Sequence, residues 1–382
     1  MSKLTWMNLL FAMGTACAAT DDSTSDGERE GAVSSAAGKA IFRHFTFGDE
    51  QKWTDQLRMH EVIATAVDPE TALSVGLKVD ADALPPGILE SADLTDPATT
   101  VALIGLGAVV GIEGEVTDEG ELVSVGITCA LCHSTVDDSL APGIGRRLDG
   151  WPNRDLDVGL IVSLSPAIPE AEREVLRSWG RGFYDPRRNI DGLNGPVLIP
   201  PAYGLRDVAA ETYTGDGPVS YWNAYVAITQ MGGLGDFSDP RIGVFVDSHP
   251  DLVTPRLPAL SDYQLSLEAP APPEGSFDPD AAERGAAVFA GACASCHAGD
   301  VYTDSPALHD PAETGMDPAY AARSATGLYR STPLRALWQH PPYFHDGSAA
   351  TLEDVVAHYD AVLALGLTPD QTSDLVHFLG SL

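Results

Sequence analysis

The sequence predicts a mainly α-helical protein of two domains. Three observations carry that reading: apolar residues recurring at helical spacing, a Pro-rich break past the middle of the chain, and one Cys-x-x-Cys-His segment on either side of it. At 382 residues the chain can hold two domains of ordinary size, and its apolar share is that of a globular protein. Asp and Glu outnumber Lys and Arg by 55 to 22, which argues against nucleic acid and anionic lipid as partners. Such a surface is first a means of staying soluble, and as a docking face it selects a basic protein.

The elements follow in chain order. Residues 1–19 have the plan of an export signal: Lys3, an apolar stretch through Leu9, Leu10, Phe11 and Met13, then small residues around Cys17. Gly14-Thr15-Ala16-Cys17 is similar to a lipoprotein processing site, so either Cys17 is lipidated or cleavage falls near Ala18. Residues 20–38 read as a disordered acidic tether, 39–267 as the larger domain, 268–277 as a Pro-rich linker and 278–382 as the smaller domain. Helices are expected over Asp49 to Ala66, Glu170 to Ser178 and Tyr221 to Gln230, with one strand over Leu122 to Thr128. In the smaller domain Asp278-Pro279 starts a helix, and Thr351 to Ala364 is amphipathic with Tyr359 on the inward face. Thr368-Pro369-Asp370-Gln371 is a capping box for a last helix. Tyr213-Thr214-Gly215-Asp216-Gly217 and Tyr343-Phe344-His345-Asp346-Gly347 each precede a helix, which suggests two related domains, the first enlarged by insertions and long loops.

Cys129-Ala130-Leu131-Cys132-His133 and Cys293-Ala294-Ser295-Cys296-His297 carry the chemistry. Two thiols three positions apart can add to the two vinyl groups of one haem, and the adjacent imidazole then meets the iron. A zinc site wants more cysteines, and a redox dithiol needs no histidine at that position. The sequence thus implies two covalently bound c-type haems, with Cys129, Cys132, Cys293 and Cys296 as tethers and His133 and His297 as ligands. For the sixth position at the second iron the candidates are Tyr359, His358, His345 and Met316; at the first they are Met231, His44 and His60.

Thr332-Pro333-Leu334-Arg335, Pro342 to Glu353 and His358-Tyr359 resemble the C-terminal signature of bacterial diheme cytochrome c peroxidases and the related methylamine-utilisation diheme enzymes. His309 to Gly315 is similar to the loop that follows their second haem. The resemblance is specific over about 278–382 and thin over 39–267. It implies two cytochrome c-like haem domains, Tyr359 as a haem-iron ligand, and calcium between the domains. The peroxidases' distal histidine has no counterpart between His133 and His249, their inter-haem tryptophan aligns with Gly215, and their acid/base glutamate falls near Gly235. Trp222 as an electron relay and Asp236 as an acid are the nearby substitutes.

The implied function is electron transfer in the cell envelope, in the periplasm or on a membrane-anchored lipoprotein, with a basic redox partner. Peroxidase-like reduction of hydrogen peroxide is the enzymatic alternative. Oxygen-dependent attack on an organic substrate, as in the distantly related rubber oxygenases, and a haem sensor complete the set.

Overall fold

The computed structural model describes residues 35–382, so the export signal, Cys17 and residues 20–34 lie outside the described residues. Residues 35–38, which the sequence assigns to the tether, belong instead to helix α1 (35–44). Gly38 allows this: a Cβ there would stand 2.0 Å from the Ala259 carbonyl oxygen, so α1 lies directly on α5 (Leu257–Ser266).

The described chain is mainly helical, with short two-stranded ladders between helices. The helix expected over Asp49 to Ala66 is two pieces, a π-helix Gln51–Gln56 and α2 (Met59–Ala66), separated by Arg58 at φ 55°. Apolar period alone does not register such a break, since the pattern runs on through it. α3 (Glu170–Arg177) matches its expected span, whereas the helix over Tyr221 to Gln230 starts earlier, as α4 (Val219–Tyr225), and finishes as a π-helix Val226–Met231. The expected strand is Leu122–Ile127, paired antiparallel with Ile112–Val116, a partner that the sequence reading missed. The hairpin Asp236–Asp239 with Val244–Asp247 and several two-residue ladders were missed too, being too short for period-2 alternation to develop.

Two apolar clusters fill the larger half. One joins Phe42, Phe47, Ala130, Trp222, Tyr225 and Met231; the other joins Trp53, Met59, Leu103, Leu131 and Leu156. The Cys129–His133 segment lies between them, with Ala130 in the first and Leu131 in the second.

The smaller half is simpler. α6 (Pro279–Ala292) opens on Asp278, whose carboxylate accepts from the amides of Asp280 and Ala281. α7 (Leu352–Leu363) and α8 (Pro369–Gly380) both start in capping boxes, at Thr351 with Asp354 and at Thr368 with Gln371. α6 and α8 cross at Gly285, where a Cβ would be 2.0 Å from the Asp374 carbonyl oxygen and 2.8 Å from the Phe378 Cβ. One turn on, Phe289 and Phe378 meet with ring centroids 5.0 Å apart. The Pro-rich residues 268–277 are fastened to this half as well, through the Trp338 indole donating to the Pro270 carbonyl at 3.3 Å.

Candidate haem sites

In the smaller half the crossing of α6 and α8 aims the end of α6 into a cavity of about 450 Å³. Cys293, Cys296 and His297 line it together with Phe289, Leu337, Val356 and Leu379. Its largely apolar walls suit a flat, largely apolar macrocycle with charged groups at its rim. The His297 Nδ1 lies 2.9 Å from the Tyr302 carbonyl oxygen, so the tautomer that donates there leaves Nε2 with a free lone pair. Burial lowers the basicity of His297, which keeps the ring neutral and able to ligate.

Tyr359, on α7, lines the same cavity. Its phenol is pushed up to about 12, by burial first and then by the sulfurs of Cys296 and Cys293. Met316 and His345 line the cavity too. His345 is buried, stacked on Tyr320 and with Nε2 3.1 Å from the Tyr329 hydroxyl. His358 does not line it and directs its Nε2 to the Thr314 carbonyl at 2.9 Å.

The first segment is enclosed more completely. Cys129 begins the helical turn Ala130–His133, and burial pushes the Cys129 and Cys132 thiols up to about 12 and the His133 imidazole down to about 4. The His133 Nδ1 is 3.1 Å from the Pro200 carbonyl oxygen, the same arrangement as at His297. Two groups near these thiols escaped the sequence reading. Asp49, fully buried, has its carboxyl pushed up to about 9 by burial and acts on Cys129. Tyr184, whose phenol is raised by burial first and then by the Cys132 sulfur, donates to Gln230 at 2.8 Å. Neither carries a motif, and their placement depends on contacts distant in sequence.

The other candidates of this half are dispersed. Met231 is buried at the end of its π-helix, where its carbonyl accepts from the Trp53 indole at 3.0 Å. His44 faces solvent and pairs with Glu113 at 2.7 Å, while the His60 Nδ1 is buried with no hydrogen-bond partner. Trp222 packs edge-on against Tyr221 and Tyr225 under the Arg187 guanidinium, its indole N–H buried and unpartnered. Asp236 is exposed on its hairpin, accepts from the Ser248 amide at 3.2 Å, and lies close to Asp247 and His249.

The internal echo is present in the backbone, in a register two residues away from that suggested by the matching letters. A single constant offset carries Leu198 onto Arg330, Gly204 onto Ala336, Thr212 onto Phe344 and Gly215 onto Gly347. The last three pairs all have positive φ: 66° and 49°, 60° and 66°, 57° and 69°. The same offset relates the bridge Glu211 with Gly217 to the bridge Tyr343 with Ala349. It also relates Pro200, which receives His133, to Thr332, whose carbonyl acts on His297. The two copies face each other: the Leu198 amide donates to the His345 carbonyl at 2.8 Å and the Arg330 amide to the Tyr213 carbonyl at 2.9 Å. Tyr213 and His345 are themselves counterparts, with ring centroids 6.2 Å apart.

This geometry defines a haem-binding domain of the c type in the smaller half. Residues 282–382 match the family described as cytochrome c, so the chain has a cytochrome c domain at its C-terminus. Among solved structures, the chain is similar to a hydrazine synthase of Kuenenia stuttgartiensis, at 19% identity over 54% of this chain and 78% of that one, with a TM-score of 0.38. It is also similar to a MauG-like protein associated with microbial copper homeostasis, at 18% identity over 50% of this chain and 74% of that one, with a TM-score of 0.36. No curated protein matches.

Proposed function

We propose that the chain is a diheme c-type cytochrome that transfers electrons in the cell envelope, with one haem on each Cys-x-x-Cys-His segment. The observation that carries this reading is the meeting of Cys293, Cys296, His297 and Tyr359 in one cavity. Bound haem supplies one-electron exchange between ferric and ferrous iron. The residues supply its setting: Cys293 and Cys296 tether, His297 offers Nε2, and the Tyr302 carbonyl holds that ring in place. Tyr359 keeps its phenolic proton at neutral pH unless a cation replaces it, so the phenolate exists there as an iron ligand or not at all. A phenolate ligand favours the ferric state and gives this site a low potential. Cys129, Cys132 and His133 repeat the tethering arrangement on a related scaffold.

Export through the leader at 1–19, with or without lipid on Cys17, places the protein in the periplasm or on a membrane. Its surplus of carboxylates then suits a basic redox partner. Among the described residues no helix is long and apolar enough to cross a membrane. Calcium stays an expectation of the family resemblance, to be checked by metal analysis of the purified protein.

Absorbance and electron paramagnetic resonance of the purified protein, with and without hydrogen peroxide, test the reading. Two covalent haems that are reduced and reoxidised by a one-electron mediator are expected. A high-spin iron that reacts with peroxide would extend the function to peroxidase chemistry, and a preparation without covalent haem would overturn it.

A further inference from the structure

The cavity that holds Cys293, Cys296 and His297 is not built by the smaller half alone. Pro200, Tyr203, Tyr213 and Arg154, all from the larger half, complete its lining. Arg154 is the unusual member. Its Nε and Nη1 are buried with no hydrogen-bond partner, and its Nη2 reaches the His340 carbonyl only at 3.4 Å. The groups acting on its charge are the phenols of Tyr213 and Tyr203, the Tyr213 hydroxyl also as a hydrogen-bonding neighbour; no carboxylate among the described residues is one of them. The other guanidiniums on the cavity each have a firmer partner, although the Arg330 Nε is also buried without one. Arg330 is paired with Glu211 at 3.2 Å, and Arg335 gives Nη1 to the carbonyls of Gly204 and Arg206.

A cation with buried, unpaired donors costs several kcal/mol unless an anion meets it. Arg154 therefore calls for an anion inside this cavity, and the group that the cavity is shaped for brings two carboxylates on its edge.

We propose that Arg154 is the counter-charge for the propionates of the haem tethered at Cys293 and Cys296. The larger half thereby sets the potential of the iron in the smaller half. This inference rests on the proposed binding of haem in that cavity. The fork of a guanidinium matches a carboxylate in two-point geometry, which an ammonium cannot reproduce. A positive charge held there favours the reduced iron, because reduction removes one unit of positive charge from the haem.

The experiment is a redox titration, followed optically, of the purified two-haem protein and of Arg154→Met. The second haem is recognised as the one whose spectrum responds to Tyr359→Phe. The expected result is a shift of that haem's reduction equilibrium toward ferric by about tenfold, about 59 mV lower in midpoint potential, with the other haem shifting less. Arg154→Lys should restore most of the shift, and Arg154→Gln replaces the methionine variant if that one does not fold. Arg181→Met, at an exposed arginine bonded to the Ser74 carbonyl, is the control. A variant that keeps its full covalent haem with an unmoved midpoint overturns the role of Arg154, as does one that changes only thermal stability. Absence of covalent haem at Cys293 and Cys296 in the parent protein overturns instead the reading on which it rests.

Discussion

Cys129–His133 and Cys293–His297 share one spelling and sit in unlike surroundings. The first segment runs between two apolar clusters, beside a buried acid, Asp49, whose carboxyl stays protonated through neutral pH. The second opens onto a cavity lined by a tyrosine and by an arginine from the other half. On the proposed reading, identical spacing specifies attachment, while the groups that tune each iron come from elsewhere in the chain. Both histidines nevertheless give Nδ1 to a backbone carbonyl, so the difference lies around the metal position and not in how the ring is held.

The comparison can be broken most directly at the tethers. Cys132→Ser and Cys296→Ser should each remove about half of the covalent haem, read as a pyridine haemochrome. Equal stability of the two variants would show that the first segment's fuller enclosure has no structural weight. At the helix crossing, Gly285→Ala should destabilise the smaller half by about 1–3 kcal/mol, seen as an earlier thermal transition, because its Cβ meets backbone at 2.0 Å. Tyr359→Phe should change the spectrum of one haem only and move its reduction equilibrium toward ferrous by about tenfold or more. A spectrum untouched by that variant would leave Met316 or His345 as the ligand.

A separate test, of pH dependence, concerns Asp49 in the first half. Its pKa is higher folded, about 9, than the ordinary value of 3.8, so the folded chain holds a proton that the unfolded chain releases. Stability from this group is full below the unfolded value and is lost as pH rises through the window toward the folded one. Asp49→Asn should therefore gain on the parent in denaturant titrations between about pH 5 and about pH 8. A parallel pH profile for the two proteins would contradict the burial argument.

Much of the smaller half was legible in the sequence. The capping box at Thr368, the amphipathic helix from Thr351 with its inward face, and the Asp278-Pro279 start are local signals, and their neighbours in sequence fix them; the second capping box, at Thr351, was not read. The break at Arg58, the π-turns and the short ladders of the larger half were not legible, since a left-handed residue or a two-residue pairing leaves no period to read. Arg154 escaped for a different reason: its meaning arises only where two halves meet across a cavity. The echo was visible but misaligned, because Asp-Gly letters drew it to the wrong register, whereas backbone sign at Gly204 and Ala336 and at Thr212 and Phe344 corrects it.

The exchanged bonds between Leu198 and His345 and between Arg330 and Tyr213 have the logic of an isologous contact, with each surface meeting its own counterpart. Such a contact needs no covalent bridge to define its orientation. A cut within residues 268–277 would then leave the halves joined by this pairing alone, and should weaken their docking by dilution while leaving them only one way to dock.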